Sequence, residues 1–326
     1  MLALLDDAST PSSVAVTRLH EGVLSEVNEL RSSSGRWIVK LYRFDLLRAA
    51  REDPDSRFQA TSRWLSLPPY FASTQARMDE LRNRVPVALP QVAAEGRLPG
   101  GMWCTAMLPV EGAPIAASEA SEASGRGVAL QHQRLSSTMG ELLRSLHRGG
   151  TRAPVAWRSR EEFLEEWTQT WHCLIDSLPE AAAGDRDQRN RLHSRLHRVL
   201  ERARLAELGP TVLIHGDFGP SNVLLSPERE VCALLDFQLC CPALAFMDLR
   251  WLHLLDSDAF LAAYGWPAGR RAEATWTGRL AHLFWDALIL VAMHRFADFA
   301  VPAIYLEAAA GNFRAGMEIL ENHPSR

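Results

Sequence analysis

Two acidic side chains and one amide are concentrated in a short stretch of the second half of the chain. Asp217 is followed five residues later by Asn222, and Asp236 ends the next apolar region. Carboxylate and amide oxygens are ligands that Mg²⁺ takes in proteins, and a carboxylate beside a hydroxyl can orient it or accept its proton. This set is typical of phosphoryl transfer, which needs positioning and charge neutralisation. We predict that Asp217 meets a substrate hydroxyl and that Asn222 and Asp236 hold a metal ion.

Three short apolar runs place these side chains at the ends of predicted strands. The runs are residues 211–214, 223–225 and 231–235. A polar segment separates the second run from the third, which is typical of a hairpin with Asn222 at one end and Asp236 at the other. The loop around Asp217 contains two glycines and a proline, which suit a tight turn. Asp and Asn are common in ordinary turns, but three suitable residues between strands favour the functional interpretation.

Lys40 is the one lysine among the 35 lysine and arginine residues of the chain. It lies near the end of a strand-like run, residues 37–42, that is rich in β-branched and aromatic residues. The ammonium of lysine is a compact point charge that fits among phosphate oxygens, whereas the guanidinium of arginine is a broad planar fork. A surface lysine on a strand is the plain alternative. The position and uniqueness of Lys40 nevertheless predict that it binds phosphates.

Two motifs resemble those of the aminoglycoside phosphotransferase and choline kinase-like superfamily of small-molecule kinases: His215-Gly216-Asp217-x-x-x-x-Asn222 and Leu235-Asp236-Phe237. Two positions depart from ordinary protein kinases. Gly216 stands where an arginine follows the histidine, and Gln238 stands where a glycine follows the second aspartate. The resemblance extends over nearly the whole chain and is strongest in residues 211–251.

The resemblance implies a two-lobed protein kinase-like α+β fold. A small N-lobe would contain an antiparallel sheet, and a larger C-lobe would be mostly helical. We place the nucleotide-binding lobe at residues 1–110 and the catalytic and substrate-binding lobe at residues 111–326, with the boundary near Val110. Residues 100–112 resemble the hinge between such lobes, where the backbone at Met107 and Pro109 would meet the nucleotide base.

The nucleotide-facing turn is predicted less sharply. Residues 14–43 are predicted to form two strands joined by a turn at residues 32–35. A separate turn at residues 21–28 would cover the phosphates. Ser25 is the candidate phosphate-binding residue in it, with Gly22 and Asn28 as further candidates, although a plain polar hairpin turn fits as well. In the resembled family a helix side chain orients the lysine. That partner of Lys40 is open among Glu80, Gln59 and Gln75.

The second half of the chain is predicted to be mostly helical. Apolar residues recur at helical spacing within residues 135–146, 192–203 and 276–291. His147 is predicted to be a packed histidine, and the resemblance implies that Asp248 supports the loop after the metal ligand. His193 and His197 have the spacing of a metalloprotease helix, but Ser194 stands where that motif needs glutamate, which disfavours a metal site there.

The composition excludes several other classes of protein. The 326 residues suffice for one large or two modest domains, and a net charge of −4 gives no basic footprint for nucleic acid. Five cysteines without a Cys-x-x-Cys pair indicate a reducing compartment rather than a disulfide framework or a zinc ribbon. The longest apolar run, residues 287–293, is shorter than the roughly 20 residues that span a bilayer, and the N-terminus lacks the basic region of a signal peptide. We therefore expect a cytoplasmic protein that binds neither membrane nor nucleic acid.

The sequence thus predicts an enzyme that uses ATP and Mg²⁺ to phosphorylate a hydroxyl group of a small metabolite or natural product. An antibiotic-inactivating kinase of aminoglycoside type is one alternative. A protein kinase is disfavoured by Gly216 and Gln238, and a non-catalytic nucleotide-binding scaffold is disfavoured because all four key residues are present. ATP or GTP as the donor, the acceptor and the oligomeric state are open.

The C-terminal residues favour an acceptor with few positive charges. Residues 239–326 contain nine acidic residues, seven arginines and four tryptophans. An aminoglycoside carries several ammonium groups, so a kinase for one needs a clear surplus of carboxylates in its cleft. We predict an acceptor with at most one or two positive charges and some apolar surface.

Overall fold

The computed structural model describes residues 14–21, 25–33, 35–42, 74–98, 103–115, 126–148, 159–206, 208–296 and 303–322. Within these residues, an antiparallel sheet from the first third of the chain is followed by a larger and mostly helical region. This arrangement is the predicted α+β organisation with a small N-lobe and a large C-lobe.

Five antiparallel strands form the sheet of the N-lobe, in the order β1-β2-β3-β5-β4. They are β1 (Ala15–Glu21), β2 (Ser25–Ser32), β3 (Gly35–Tyr42), β4 (Val92–Arg97) and β5 (Trp103–Met107). In β3, Lys40 lies opposite Val27 on one side and Thr105 on the other, and it is buried. A neighbour on each side keeps the lysine backbone rigid.

The prediction of two strands in residues 14–43 was wrong, because the structure has three there. β2 contains Ser25 and Asn28, which were expected in a turn, whereas residues 22–24 with Gly22 lie outside the described residues. The strand was hidden by its polar composition. Its polar residues pair with one another: Asn28 donates to Glu26 at 3.0 Å, and Arg31 donates to Glu29 at 2.7 Å. These pairs satisfy the hydrogen-bonding groups of the polar side chains, so β2 can belong to the sheet without a run of apolar residues.

One helix and one extended segment connect the sheet to the rest of the core. Helix α1 (Thr74–Arg82) buries Met78 and Leu81 in the main hydrophobic cluster. Ala88 then exchanges backbone hydrogen bonds with the strand that precedes Asp236, accepting from Leu234 N at 3.1 Å and donating to Cys232 O at 2.9 Å. The N-lobe is thereby joined directly to a hairpin of the C-lobe.

Seven helices lie in the described part of the C-lobe: α2 (Arg126–His147), α3 (Arg160–Ser177), α4 (Glu180–Ala183), α5 (Arg186–Leu205), α6 (Ser257–Tyr264), α7 (Arg271–Phe296) and α8 (Ala303–Asn322). Their starts follow from capping residues. Ser159 accepts from Glu162 N ahead of α3, and Asp185 and Gln188 form a reciprocal capping box ahead of α5. The predicted apolar faces of α5 and α7 are buried. None of the described helices has the length and apolarity needed to cross a membrane.

An aromatic cluster forms the centre of the C-lobe. The ring of Trp167 lies 5.3 Å from that of Phe246 and 5.6 Å from that of Phe284, and Trp171 lies 5.4 Å from Phe284. All four rings are fully buried. Edge-to-face contacts of this kind add to the large apolar area that each ring buries. Phe246 belongs to the short helical turn Ala245–Leu249, so the cluster supports the segment that contains Asp248.

Two small sheets carry the residues singled out by the sequence. Strand β7 (Thr211–Ile214) pairs with β10 (Cys241–Leu244), and β6 (Ala113–Pro114), β8 (Val223–Leu225) and β9 (Val231–Leu234) form a second sheet. β8 and β9 are the predicted hairpin, closed by Ser226 N donating to Glu230 O at 2.9 Å. The loops that leave β7 and β9 form the candidate active site.

Candidate active site

The loop after β7 turns sharply, and its sequence permits the turn. Gly216 has φ +82°, a conformation that other residues rarely adopt, and a Cβ there would overlap the backbone of Leu239. The chain then passes Asp217 and enters the short helical turn Pro220–Asn222, in which proline occupies the first turn. Asp217 and Asn222 are thus held on one compact loop.

Asp248 anchors this loop from beneath. Its carboxylate accepts the backbone N–H groups of His215 and Gly216, each at 2.7 Å, and a ring nitrogen of His147 donates to it at 3.0 Å. The Asp248 side chain has no exposed surface. A buried carboxylate that receives several hydrogen bonds is rigid. The sequence interpretation placed this support at the loop after the metal ligand, whereas the structure places it at the loop of Asp217.

His147 is buried and bonded at both ring nitrogens, as expected of a packed histidine. Its Nδ1 lies 2.8 Å from the hydroxyl of Tyr264, and its Nε2 lies against Asp248. Burial, and then the charge of Asp248, raise the pKa of Tyr264 well above its usual value, so the phenol stays protonated. His147 therefore supports Asp248 and lies behind the loop.

His215 connects the loop of Asp217 to the loop of Asp236. Its Nε2 donates to the carbonyl of Leu235 at 2.8 Å, and its Nδ1 accepts from the backbone N–H of Asp217 at 3.2 Å. These two bonds define one neutral tautomer of the ring. Leu235 N also donates to Asn222 O at 2.8 Å. The two loops are therefore fixed to each other through backbone atoms.

Both carboxylate oxygens of Asp217 have partners. The side-chain amide of Asn222 donates to Oδ2 at 3.0 Å, and the indole Nε1 of Trp251 donates to Oδ1 at 2.8 Å. The guanidinium of Arg250 lies 3.3 Å from the same Oδ1. Asp217 is half-buried, so part of its surface faces solvent. A fixed carboxylate with an accessible side is what a group that orients a hydroxyl requires.

Asp236 has a left-handed backbone, with φ 60° and ψ 63°. Such a conformation is uncommon for a residue other than glycine, and it recurs at functional sites. Its Oδ1 accepts from the ammonium of Lys40 at 2.7 Å. Burial alone would lower the pKa of Lys40, but the charges of Asp236, Tyr42 and Asp217 and the hydrogen bond to Asp236 raise it above its ordinary value. Lys40 is therefore fully charged at neutral pH.

The structure pairs Lys40 with Asp236, which was not among its three predicted partners. Glu80 forms an ion pair with Arg84, and Gln75 donates to Asp79 at 2.7 Å. Gln59 lies outside the described residues.

The oxygen donors beside Lys40 fit Mg²⁺. Both hydrogen bonds from the amide nitrogen of Asn222 go to Asp217, so the amide oxygen faces away from that residue. Mg²⁺ commonly takes one or two protein side chains and completes its coordination with phosphate oxygens and water. In the described part of the chain, no cluster of three or more His, Cys, Asp or Glu side chains could hold a metal by itself. The donor set of Asn222 and Asp236 therefore fits a metal bound together with phosphates.

The predicted nucleotide-side residues lie on the same sheet as Lys40. Ser25 begins β2 opposite Tyr42 and is buried, and Met107 ends β5. In the linker that follows, Leu108 N donates to Gln91 O at 2.9 Å, and Pro109 has only its carbonyl to offer a base. The roles of these residues stay predictions.

A second group of polar side chains lies beside Asp217, on the side of α7. Between residues 274 and 291 this helix is buried except for one partly exposed stripe: Thr275, Arg279, His282, Asp286 and Ile289. The ring of His282 lies 4.9 Å from those of Trp251 and His253. The stripe therefore continues the surface that begins at Trp251.

Burial shifts the pKa values of three of these side chains toward their uncharged forms. It raises the pKa of Asp286 to about 6, although Arg250 and His253 act in the opposite direction. Burial, together with the charge of Arg250, lowers the pKa of His282 to about 4. Burial and then His282 also lower the pKa of His253. The wall beside Asp217 is therefore not strongly acidic.

Sequence reasoning missed Arg250, Trp251, His282 and Asp286. A usable signal was present for the first two, because they directly follow Asp248 within a segment already assigned to the site. His282 and Asp286 are four residues apart on one helix, so they share a face, but nothing in their spacing relates that face to Asp217.

Comparisons with known proteins agree with this geometry. The model of the phosphotransferase enzyme family matches residues 15–279. The fold is similar to that of aminoglycoside 2′-phosphotransferase-IIIa in complex with GDP, with a TM-score of 0.66 and 14% identity over 97% of this chain and 96% of that chain. No curated protein sequence matches the chain.

Two further solved structures, an ethanolamine kinase and a macrolide phosphotransferase, also have this fold. Plasmodium vivax ethanolamine kinase has a TM-score of 0.59 and 14% identity over 96% of this chain and 84% of that chain. Macrolide 2′-phosphotransferase type I has a TM-score of 0.57 and 17% identity over 95% and 94% of the two chains. These likenesses confirm the predicted two-lobed, kinase-like fold.

Proposed function

This chain belongs to the phosphotransferase enzyme family, and on that premise we propose that it transfers a phosphoryl group from ATP, with Mg²⁺, to a hydroxyl group of a small molecule. Family membership makes it a small-molecule phosphotransferase. The identity of the phosphoryl donor, the requirement for Mg²⁺ and the chemical class of the acceptor are what we propose here. The division into a nucleotide-binding lobe at residues 1–110 and a catalytic lobe at residues 111–326 belongs to the proposal as well.

The observation that carries the proposal is the pair of contacts that joins four predicted residues. Lys40 donates to Asp236 at 2.7 Å, and Asn222 donates to Asp217 at 3.0 Å. The backbone bond from Leu235 to Asn222 ties one pair to the other. A cation, two carboxylates and an amide oxygen are therefore collected at one place, where a phosphoryl donor and an acceptor hydroxyl can both be held.

Each side chain has a distinct role in the proposed reaction. Lys40 binds phosphate oxygens, and Ser25 and the backbone at Met107 and Pro109 lie on the nucleotide side. Asn222 and Asp236 would hold Mg²⁺, which when bound would neutralise charge on the transferred group. Asp217 orients the acceptor hydroxyl and accepts its proton as the new P–O bond forms and the bond from the γ-phosphorus to the bridging oxygen breaks, with ADP as the leaving group. Its hydrogen bonds to Asn222 and Trp251 keep the carboxylate in that orientation.

The wall beside Asp217 favours an acceptor with at most one or two positive charges. Its partly exposed charged groups are the guanidinium of Arg279 and the carboxyl of Asp286, whose pKa is about 6, while the guanidinium of Arg250 is buried and pairs with Asp217. This wall therefore lacks the surplus of carboxylates that would attract a polycation. The rings of Trp251, His253 and His282 supply a flat and weakly polar surface. An amino alcohol or a hydroxylated compound with some apolar surface fits this wall better than a polyamine sugar does.

A phosphoryl-transfer screen tests the proposal. The purified chain is incubated with Mg·ATP or Mg·GTP and with three groups of acceptors: amino alcohols, sugars and antibiotics that include an aminoglycoside and a macrolide. Products are detected by ³¹P NMR and by the mass of the added phosphoryl group. GTP is included because a similar structure contains GDP. We expect a product with ATP and a weakly charged acceptor, and we expect Asp217→Asn to form it about 10²–10⁴ times more slowly under the same conditions.

Two alternatives predict other results in the same screen. An antibiotic-inactivating kinase of aminoglycoside type would use a polycation efficiently, with kcat/KM in the range of about 10⁴–10⁸ M⁻¹s⁻¹ that native substrates reach. A non-catalytic scaffold would bind nucleotide and would turn over neither donor with any acceptor. The first result would refute the acceptor class, and the second would refute the proposed reaction.

A cytoplasmic location is also part of the proposal. The five cysteines are thiols, which suits a reducing compartment. This point can be checked by fusing the chain to a phosphatase that is active only outside the cytoplasm. Phosphatase activity in whole cells would contradict it.

A further inference from the structure

We propose that Trp251 and Arg250 together form a clamp that sets the orientation of the Asp217 carboxylate, which makes them positioning residues for phosphoryl transfer. We call this pair the indole–guanidinium clamp. The inference rests on the proposed function, because it assigns a catalytic purpose to the orientation of Asp217. The physical contact itself can be tested without turnover.

The first half of the clamp is the indole of Trp251. Its Nε1 donates to Oδ1 of Asp217 at 2.8 Å, a normal length for a hydrogen bond to a charged acceptor. Asn222 holds the other oxygen, Oδ2, at 3.0 Å. With one donor fixed at each oxygen, the carboxylate cannot rotate without losing a bond.

The catalytic loop is shaped to admit this indole. Gly219 is buried, and a Cβ built on it would lie 2.8 Å from Cγ of Trp251 and even closer to Cδ1. A contact under about 3.0 Å cannot exist without displacement. The backbone of Gly219 has φ −149°, which any residue can adopt, so the lack of a side chain serves the approach of the indole. The loop and the ring therefore fit each other closely.

The second half of the clamp is the guanidinium of Arg250. It lies 3.3 Å from Oδ1 of Asp217 and donates to the carbonyl of Gly216 at 3.5 Å. Its central carbon is 4.7 Å from the ring of Trp251 and 5.8 Å from the ring of Trp285. Only 5% of the Arg250 side chain is exposed. The buried cation thus stabilises the charge of Asp217 and also supports the indole by a cation–π contact.

The two clamp residues reach the site through rigid structure. They directly follow the turn Ala245–Leu249, all of which is buried, and Asp248 in that turn accepts two backbone N–H groups of the same loop. One short segment therefore holds both the backbone and the carboxylate of the loop. Misplacement of a reacting group by about 1 Å can cost a factor of about 10² in rate, so such a support has a measurable purpose.

A double-mutant cycle separates positioning from a general structural role. Trp251→Phe removes the N–H and keeps a ring, and we expect kcat to fall by about tenfold to a hundredfold with nucleotide KM little changed. If no acceptor is known, hydrolysis of Mg·ATP provides kcat. In an Asp217→Ala background the same change should have no further effect, because there is no carboxylate left to orient. An equal loss in both backgrounds would overturn the proposal.

Two further variants show whether a loss of activity comes from the clamp or from a general loss of folding. Trp276→Phe is a matched control, because Trp276 also donates its indole N–H, but to Leu320 O, at 3.3 Å, and not to the carboxylate of Asp217. We expect it to keep the wild-type kcat. Arg250→Lys retains a cation but lacks the fork, and it should lower kcat at unchanged nucleotide KM. A kcat for Arg250→Lys equal to that of wild type would remove Arg250 from the clamp.

The contact can also be observed directly. Protein labelled with [¹⁵N]tryptophan gives indole N–H signals from ten residues, and the signal lost in Trp251→Phe is that of Trp251. In Asp217→Asn this signal should move, while the signal of Trp276 stays in place. A Trp251 signal that does not respond would overturn the clamp. Absence of turnover in the wild type would instead refute the proposed function, so the two failures are distinguishable.

Discussion

The ammonium of Lys40 lies 2.7 Å from Oδ1 of Asp236, although 196 positions separate the two residues in the sequence. Lys40 comes from the middle of the N-lobe sheet, and Asp236 follows the hairpin strand β9 of the C-lobe. The proposed phosphate-binding cation and the proposed metal ligand are thus already together. The two lobes contribute one residue each, so neither lobe contains the site alone.

The single lysine makes this pair directly measurable. Protein labelled with [¹³C]lysine shows one side-chain signal, and in metal-free buffer we expect it to titrate above 10.5, since Asp236 raises the pKa of Lys40. In Asp236→Asn the midpoint should fall, because burial then acts with less opposing charge. A raised pKa stabilises the fold below the unfolded value of 10.5, and that contribution is lost as pH rises through the folded pKa. Asp79→Asn, at an exposed carboxylate, is the control. If the titration midpoint of Lys40 is the same in Asp236→Asn as in wild type, the pairing is contradicted.

Nucleotide binding tests the roles of the same two residues. Asp236→Ala should abolish Mg²⁺-dependent binding of ATP, because it removes the one carboxylate of the proposed metal site. Lys40→Arg should also bind poorly, since a planar fork cannot enter the buried space of an ammonium. Isothermal calorimetry gives both affinities, with Arg134→Ala as an exposed control on α2. Wild-type affinity in both variants would show that neither residue binds the nucleotide.

The sequence was sufficient to single out the four residues that the structure brings together, Lys40, Asp217, Asn222 and Asp236, whose roles stay proposals. It was also sufficient for the hairpin and for the apolar faces of α5 and α7, where periodicity reflects burial. The indole of Trp251 could not be predicted in the same way. Its contact with Asp217 depends on how β10 and the turn Ala245–Leu249 lie beneath the loop.

The partner of Lys40 shows the same limit. A helix glutamate was a reasonable expectation, but Glu80 forms its ion pair with Arg84, four residues further along. Which polar partner a side chain contacts depends on differences of a few ångströms in the tertiary structure. A single sequence contains no pattern that reveals such differences. β2 was missed for a related reason, since its polar residues satisfy one another along the same strand.

Asp248 is expected to matter for stability as well as activity. In Asp248→Asn the amide nitrogen cannot accept, so at least one of the buried N–H groups of His215 and Gly216 loses its acceptor. We expect the free energy of unfolding to fall by about 2–4 kcal/mol, as measured with urea. Asp256→Asn is the matched control, because the side chain of Asp256 caps α6 and asparagine caps a helix about as well as aspartate does, so little stability should be lost. An equal loss in the two variants would refute the anchoring role of Asp248.

His282 and Asp286 are expected to oppose each other in the pH dependence of stability. The pKa of Asp286 is raised to about 6, so its contribution falls as pH rises from about 4 to 6. The pKa of His282 is lowered to about 4, so its contribution falls as pH drops from 6.5 toward 4. Relative to wild type, Asp286→Asn should gain stability as pH rises through this window, and His282→Gln should gain stability as pH falls.

Denaturation midpoints at several pH values between 4 and 7 check both signs. Glu273→Gln provides the comparison at a carboxyl group elsewhere on α7, which pairs with Arg270. If the denaturation midpoints of Asp286→Asn and His282→Gln change with pH in the same way as those of wild type, neither group is desolvated in the folded protein.

The most direct test of the proposed reaction is the effect of Asp217→Asn on kcat and on nucleotide affinity, measured side by side. If Asp217 orients the acceptor hydroxyl and accepts its proton, kcat should fall by about 10²–10⁴-fold. The dissociation constant for Mg·ATP should stay close to that of wild type, because Lys40, Asn222 and Asp236 are unchanged. An Asp217→Asn enzyme that turns over at the wild-type rate would contradict the central role of this carboxylate.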